Sequence, residues 1–290
     1  MTAQDFSNAL AQGIKTVDAS LVQVDGRRGY ALSGTVWDEH TVVTTSRAVE
    51  RDDDITVTLS GGETHAATLQ GRDPSTDLAL LKLEATLTVP AWQETEGLEV
   101  GHLALLVGRP GEGVRASLGI VGALGGPWRT MLGGRVARRI RTDAATFRGF
   151  SGGPLLTPEG AVLGINTAAL SRDASTTLPT ETVRRVVEAL QQHGRMRRGY
   201  LGVTGQPVKL QGAPETGVGL LLVGVEKESP AAQAGLVVGD ILLRVSGERV
   251  RHPGQLAALL GDDAIGLGLS VTVVRAGTLT DLTVTVAERL

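Results

Sequence analysis

The chain has 290 residues, of which 41% are hydrophobic and 20% charged, and a formal net charge of −3. That length suits two or three compact units, and the small negative charge gives no reason to expect nucleic acid or an anionic membrane as the main partner. There is no cysteine, which excludes disulfides, thiol catalysis and cysteine metal sites.

Thr2 and Asp5 have the spacing of a capping box, and Phe6, Leu10, Ile14 and Val17 share one helical face. That helix is expected to lie against the first β unit or a neighbouring subunit. From Leu21 the period shifts. Runs at 21–24, 30–37, 41–45, 55–60, 65–70 and 78–83 read as short strands, separated by turns such as Asp25-Gly26, Gly61-Gly62 and Asp73-Pro74. Six of them close together suit a small antiparallel barrel. After a connector that begins at Val89-Pro90, a second set follows at 103–107, 114–124, 135–142, 153–156 and 161–167. The basic stretch Arg135 to Arg141 reads as a strand with one solvated face in preference to a nucleic-acid patch. Residues 181–192 read as a helix stopped at His193-Gly194, and a further β-rich unit runs from Tyr200 to Leu290. It holds a helix near Gln255 to Leu260 and a hairpin turned by Ala276-Gly277.

Gly149-Phe150-Ser151-Gly152-Gly153-Pro154 is a turn built to expose one hydroxyl, since its glycines permit a sharp bend and a close substrate approach. The amides of Gly149 and Ser151 could converge there as an oxyanion hole requires. No histidine pairs with a second ligand at metal spacing, so neither metal nor cofactor is expected. The N-terminus shows no charged start followed by an apolar run, so the sequence as written reads as cytoplasmic; a removed leader would make it a cell-envelope protein.

Several spaced motifs together resemble the HtrA family, a trypsin-like serine endopeptidase domain followed by a PDZ domain. They are Ser33-Gly34 with Val42-Val43-Thr44, then Arg72 to Lys82, then Val107-Gly108-Arg109-Pro110-Gly111. Thr142 to Ala145, Gly149 to Pro154 and Gly164-Ile165-Asn166-Thr167 follow, and Tyr200-Leu201-Gly202-Val203, Ser229 to Leu236 and Gly239-Asp240 are PDZ-like. The resemblance implies a mostly β chain: two tandem six-stranded antiparallel barrels, about 18–88 and 98–178, within a protease domain at 1–178. A linker helix at 179–196 and a PDZ domain at 197–290 complete it.

By the same resemblance, Ser151 stands at the nucleophile position, Asp77 at the orienting-acid position, and Gly149 and Ser151 supply the oxyanion donors. The family's histidine falls eight residues before Ile55, where this chain has Arg47. Arginine keeps its proton at physiological pH and cannot act as a general base. It is expected to form a charge pair with Asp77. His40, His65, His102, His193 and His252 read as turn or surface residues. Phe147 and Phe150 replace small polar residues before the nucleophile. Phe150 either displaces the oxyanion donors or fills core space.

In the PDZ unit, the resemblance makes Tyr200, Leu201, Gly202 and Val203 the loop that holds a peptide carboxylate, with Leu256 or Leu259 on the facing helix wall. Three functions follow: a pseudoprotease binding unfolded chains or C-termini as scaffold, chaperone or regulator; an active endopeptidase with an unexpected base; or a subunit of an active homologue. The family's trimers imply a homotrimer or a mixed oligomer, with residues 6–17 as the contact.

Overall fold

The computed structural model describes residues 2–170, 176–210 and 217–289. Two compact units divide the chain: Met1–Thr130 with Arg135–Met196, and Met131–Gly134 with Arg197–Leu290.

The first unit opens with helix α1, Ala3–Val17, started by the capping box in which Thr2 Oγ1 accepts from the Asp5 amide and the Asp5 carboxylate accepts from the Thr2 amide. Its apolar stripe, expected on the first β unit or a neighbouring subunit, packs mainly on the second barrel: Leu10, Ile14 and Val17 cluster with Leu105, Val107, Leu156 and Val162, joined by Leu21 at the start of the first. The alternating apolar residues of β1 (Leu21–Asp25), β2 (Leu32–Asp38), β3 (Thr41–Thr45), β4 (Ile55–Thr58), β5 (Thr64–Asp73) and β6 (Leu78–Lys82) close into a barrel in the order β1-β2-β3-β6-β5-β4. Val22, Val24, Val36, Val42, Ile55 and Leu81 fill it. Each such side chain contributes about 1.5–3 kcal/mol on leaving water.

The second barrel is built from β7 (Leu103–Gly108), β8 (Arg115–Gly125), β11 (Arg139–Thr142), β12 (Pro154–Leu156), β13 (Val162–Thr167) and β14 (Thr176–Pro179), closed in the order β11-β14-β13-β12-β7-β8. The sequence pattern had no strand at β14, because four residues ending in proline carry little periodicity. The expected continuous strand at 135–142 is broken. β9 (Trp128–Arg129) and β10 (Arg135–Val136) form a separate hairpin, and β11 starts only at Arg139. Arg135 and Arg139 are exposed while Val136 and Ile140 are buried, the solvated-face pattern expected of this stretch.

Helix α2, Thr180–His193, ends on Gly194 at φ 68°, a left-handed cap. It was expected as a linker and is instead part of the first unit's core. Val183, Val186, Val187 and Leu190 are buried with Val43, Leu78, Leu80, Ile165 and Leu178 from both barrels.

In the second unit, β15 (Gly199–Tyr200) precedes β16 (Val203–Leu210), β17 (Gly217–Val225), short helix α3 (Pro230–Gln233), β18 (Ile241–Val245), β19 (Glu248–Arg249), helix α4 (Pro253–Leu259), β20 (Gly268–Arg275), β21 (Thr278–Thr285) and β22 (Ala287–Glu288). The main sheet runs β16-β17-β18-β20-β21, with β19 beside β18, and β15 pairs with β22. Ala276 and Gly277, at φ 47° and 80°, make the two-residue turn between β20 and β21.

Candidate active site and peptide groove

The first unit brings Arg47, Asp77, Gly149 and Ser151 onto loops joined by hydrogen bonds across its two barrels. Asp73 shapes the first of these loops. Its carboxylate accepts from the Ser75 amide at 3.0 Å, the Ser75 hydroxyl at 2.6 Å and the Thr76 hydroxyl at 2.7 Å, folding Asp73-Pro74-Ser75-Thr76-Asp77 into a turn. At its end Asp77 is 4% exposed with φ 58°, a left-handed conformation that aspartate tolerates better than most residues. One carboxylate oxygen of Asp77 accepts from the Arg47 amide at 3.2 Å, the other from the Thr167 hydroxyl at 2.6 Å. Burial pushes this carboxyl above its ordinary value; the Thr167 hydroxyl, the Arg47 amide and the Arg47 charge oppose the rise without cancelling it.

The expected charge pair between Arg47 and Asp77 does not form. Among the described residues, the Arg47 guanidinium has neither an ion pair nor a hydrogen bond; the side chain is exposed and only its amide meets the carboxylate. Charge in water and a backbone donor on the acid cost less than desolvating a guanidinium beside a buried carboxylate.

The nucleophile loop is held from below by Ser33. The Ser33 hydroxyl donates to the Gly149 carbonyl at 2.7 Å and accepts from the Arg109 amide at 2.8 Å, while the Ser33 amide donates to the Ser151 carbonyl at 3.1 Å. Arg109 is itself 3% exposed, its guanidinium donating to the carbonyls of Leu21 and Glu112 and to the Asp18 carboxylate. The Phe150 amide donates to the Phe147 carbonyl at 3.2 Å, closing a turn in which Gly149 takes φ 95°. A Cβ at 149 would overlap the Pro110 ring, so only glycine fits. That φ is the type II choice, which sets the direction of the Gly149 N–H. Among the described residues, the amides of Gly149 and Ser151 have no hydrogen-bond partner. They remain available to an incoming oxyanion.

Phe150 does not stand beside the serine. It is fully buried with Leu106, Val121, Ile140, Leu155 and Leu163, and meets the half-exposed Phe147 edge-on at 5.4 Å between ring centroids. Of the two sequence-level alternatives, core filling is the one realised. Arg148 packs its guanidinium 3.8 Å over the Tyr30 ring, a second tie between this loop and the first barrel.

Ser151 Oγ accepts from the Ala168 amide at 3.4 Å, and among the described residues no acceptor faces its proton. The histidines are engaged elsewhere. His40 bonds the Ala85 carbonyl, His65 pairs with Glu63, His102 accepts from the Glu99 amide, His252 caps α4, and His193 ends α2 exposed. Ser33, Thr167 and Arg109 were not singled out as site residues from sequence. Their signal lies in motifs flanking the nucleophile and acid segments, but their roles depend on partners 76 to 116 positions away.

In the second unit, Tyr200 to Val203 form a turn that aims donors outward. The Leu201 carbonyl accepts from the Ala231 amide at 2.9 Å and the Gly202 carbonyl from the Glu226 amide at 2.8 Å. Across each planar peptide the following N–H points the other way, so those of Gly202 and Val203 face out. Gly202 has φ 79°, and a Cβ there would overlap Ser229. The Tyr200 hydroxyl donates to Glu226 at 2.5 Å. Leu201 and Leu256 are buried in the core of this unit, whereas Val203 and Leu259 pack at its edge half-buried. Of the two wall candidates, only Leu259 retains open surface.

Residues 32–165 match the trypsin-like peptidase domain family, and residues 222–264 match the PDZ domain family. The chain is 35% identical over 259 residues to a probable periplasmic serine endoprotease DegP-like of Brucella suis, covering 85% of this chain and 50% of that protein. The whole fold aligns with the HtrA-type protease AlgW bound to a decapeptide, at TM-score 0.76 and 26% identity over 97% of this chain and 99% of that one. The chain belongs to the HtrA family. A DegP-like endoprotease of Halomonas elongata is 33% identical over 90% of this chain and 57% of that protein. A serine endoprotease from Yersinia pestis superposes at TM-score 0.74 with 27% identity, over 97% of this chain and 98% of that one. This HtrA-family chain spans about half the length of the curated relatives it matches.

Proposed function

We propose that this HtrA-family chain is a pseudoprotease that binds unfolded chains or protein C-termini as a scaffold, chaperone or regulator. One observation carries it: the Ser151 hydroxyl has no basic acceptor among the described residues, and the position whose amide holds Asp77 bears a guanidinium. Without a base the serine keeps its proton, and loss of a triad base costs on the order of 10⁴ to 10⁶ in turnover. Peptide binding is assigned to the second unit, where the outward amides of Gly202 and Val203 would take a terminal carboxylate and Val203 and Leu259 an apolar side chain. The relatives' names, which call them periplasmic, support a cell-envelope location in preference to the cytoplasm. Among the described residues no helix is long and apolar enough to cross a membrane.

The test is a fluorophosphonate probe with casein as substrate: Ser151 should stay unlabelled and casein uncut. A second reading, an active endopeptidase, draws on the partnerless amides of Gly149 and Ser151 and on the oriented Asp77. Rapid labelling that disappears in Ser151→Ala would establish it and remove the first.

A further inference from the structure

Strand β16 ends the six-stranded sheet, and among the described residues no strand pairs with its other side, where α4 packs. Which backbone groups face that open edge follows from bonds on the neighbouring strands. In β17, the Leu222 amide donates to the Asp240 carbonyl at 2.8 Å and its carbonyl accepts from the Gly239 amide at 2.9 Å, so Leu222 faces the β18 side. Successive residues of an extended chain face opposite sides. Leu221 therefore faces β16, and its partner Gln206 faces β17. Gly205 and Pro207 then face the open edge.

The other end of the strand leads to the same parity. The Gly202 carbonyl is bonded to the Glu226 amide, so the Val203 N–H, across the same peptide, points to the edge. The register irregularity does not disturb this, because the extra residue is Val223 on β17: Thr204 pairs with Gly224 and Gly205 with Leu222. The edge thus offers a donor and an acceptor at Val203 and again at Gly205. At Pro207 it offers only a carbonyl, with a ring carbon where the donor would be.

We propose that Pro207 ends the strand ladder of a bound peptide, an inference that rests on the peptide-binding reading of this groove. A C-terminal segment added antiparallel to β16, its carboxylate at Gly202 and Val203, pairs opposite Val203 to Gln206 and then meets proline. The domain therefore reads about the last four residues of its partner and is indifferent to the chain upstream. Beyond Pro207, the next edge-facing amide is that of Lys209, which the ligand does not reach.

The experiment titrates the full chain and its Pro207→Val variant with valine–threonine peptides of about four and about eight residues, each ending in a free valine carboxylate, with amidated peptides as controls. The parent should bind both lengths within about 2-fold, while the variant should bind the longer about 5- to 10-fold more tightly, one or two added hydrogen bonds. The Lys209 amide should gain protection from hydrogen exchange only in the variant with the longer peptide. Parent affinity that climbs more than about 5-fold with length, or Lys209 protection in the parent, overturns the ladder stop. So does a folded variant with no length dependence. If the variant does not fold, the parent's length series and its Lys209 amide decide alone. If neither peptide binds the parent, the peptide-binding reading fails and the inference goes with it.

Discussion

The backbone amide of Arg47 donates to an Asp77 carboxylate oxygen at 3.2 Å while the Arg47 side chain lies exposed. That contact does not depend on which side chain stands at 47, so the acid stays placed when the residue is changed. Arg47→His puts an imidazole on a residue already tied to an oriented carboxylate. We expect Ser151-dependent labelling and cleavage of a fluorogenic peptide to rise by about 10² to 10⁴, the usual worth of a positioned base. An unchanged rate would mean that the serine or its oxyanion donors are unusable for another reason.

Asp77 also shapes stability against pH. Its carboxyl is raised by burial, so it holds its proton more tightly in the folded than in the unfolded chain. Its contribution is most favourable at low pH, falls as pH climbs from 3.8 through the folded value, and is level above that. Asp77→Asn has no proton to lose and can still accept from Arg47 while facing Thr167. Urea melts at a series of pH values should show the difference moving in favour of the Asn variant across that window. A difference moving toward Asp would contradict a raised carboxyl.

Phe150 is a packing residue despite its place next to the nucleophile. Phe150→Ala should lower stability by about 3–5 kcal/mol through the cavity it leaves, measured as a lower denaturant midpoint at unchanged slope. A loss below about 1 kcal/mol would show that the second barrel does not depend on this ring.

In the second unit, Arg275 donates twice to the fully buried Asp240, both bonds at 2.7 Å, and the Val237 amide donates as well. Burial alone would raise Asp240; the hydrogen bonds from Arg275 and Val237 and the Arg275 charge outweigh it and hold the carboxyl below its ordinary value. Arg275→Ala leaves a buried carboxylate without its cation and should lower stability at neutral pH, read as a lower denaturant midpoint. A depressed carboxyl contributes above its ordinary value and ceases to as pH falls through the folded one, so the loss should shrink in acid. A loss independent of pH would trace instead to packing of the Arg275 stem.

Two barrels and a third β unit are legible in the alternating runs and glycine turns, because a strand's period and a turn's φ are local properties. Strand β14 was not legible: its four residues pair with Ile140 and with Gly164 to Thr167, and only that pairing makes it a strand. Helix α2 was legible as a helix but not as core, since its apolar face shows which side is buried and not what covers it.

At the site, the sequence by itself determined that position 47 carries no base, because a guanidinium holds its proton whatever surrounds it. It determined equally that Gly149 to Pro154 form a sharp turn. Only the tertiary structure decided where side chains point: Arg47 to solvent, Phe150 into the second barrel, Thr167 onto Asp77. The same holds for Pro207, whose missing donor matters only because the partner strands turn it to an open edge. Chemical identity is carried by each residue alone, whereas direction is set by partners far away in the chain.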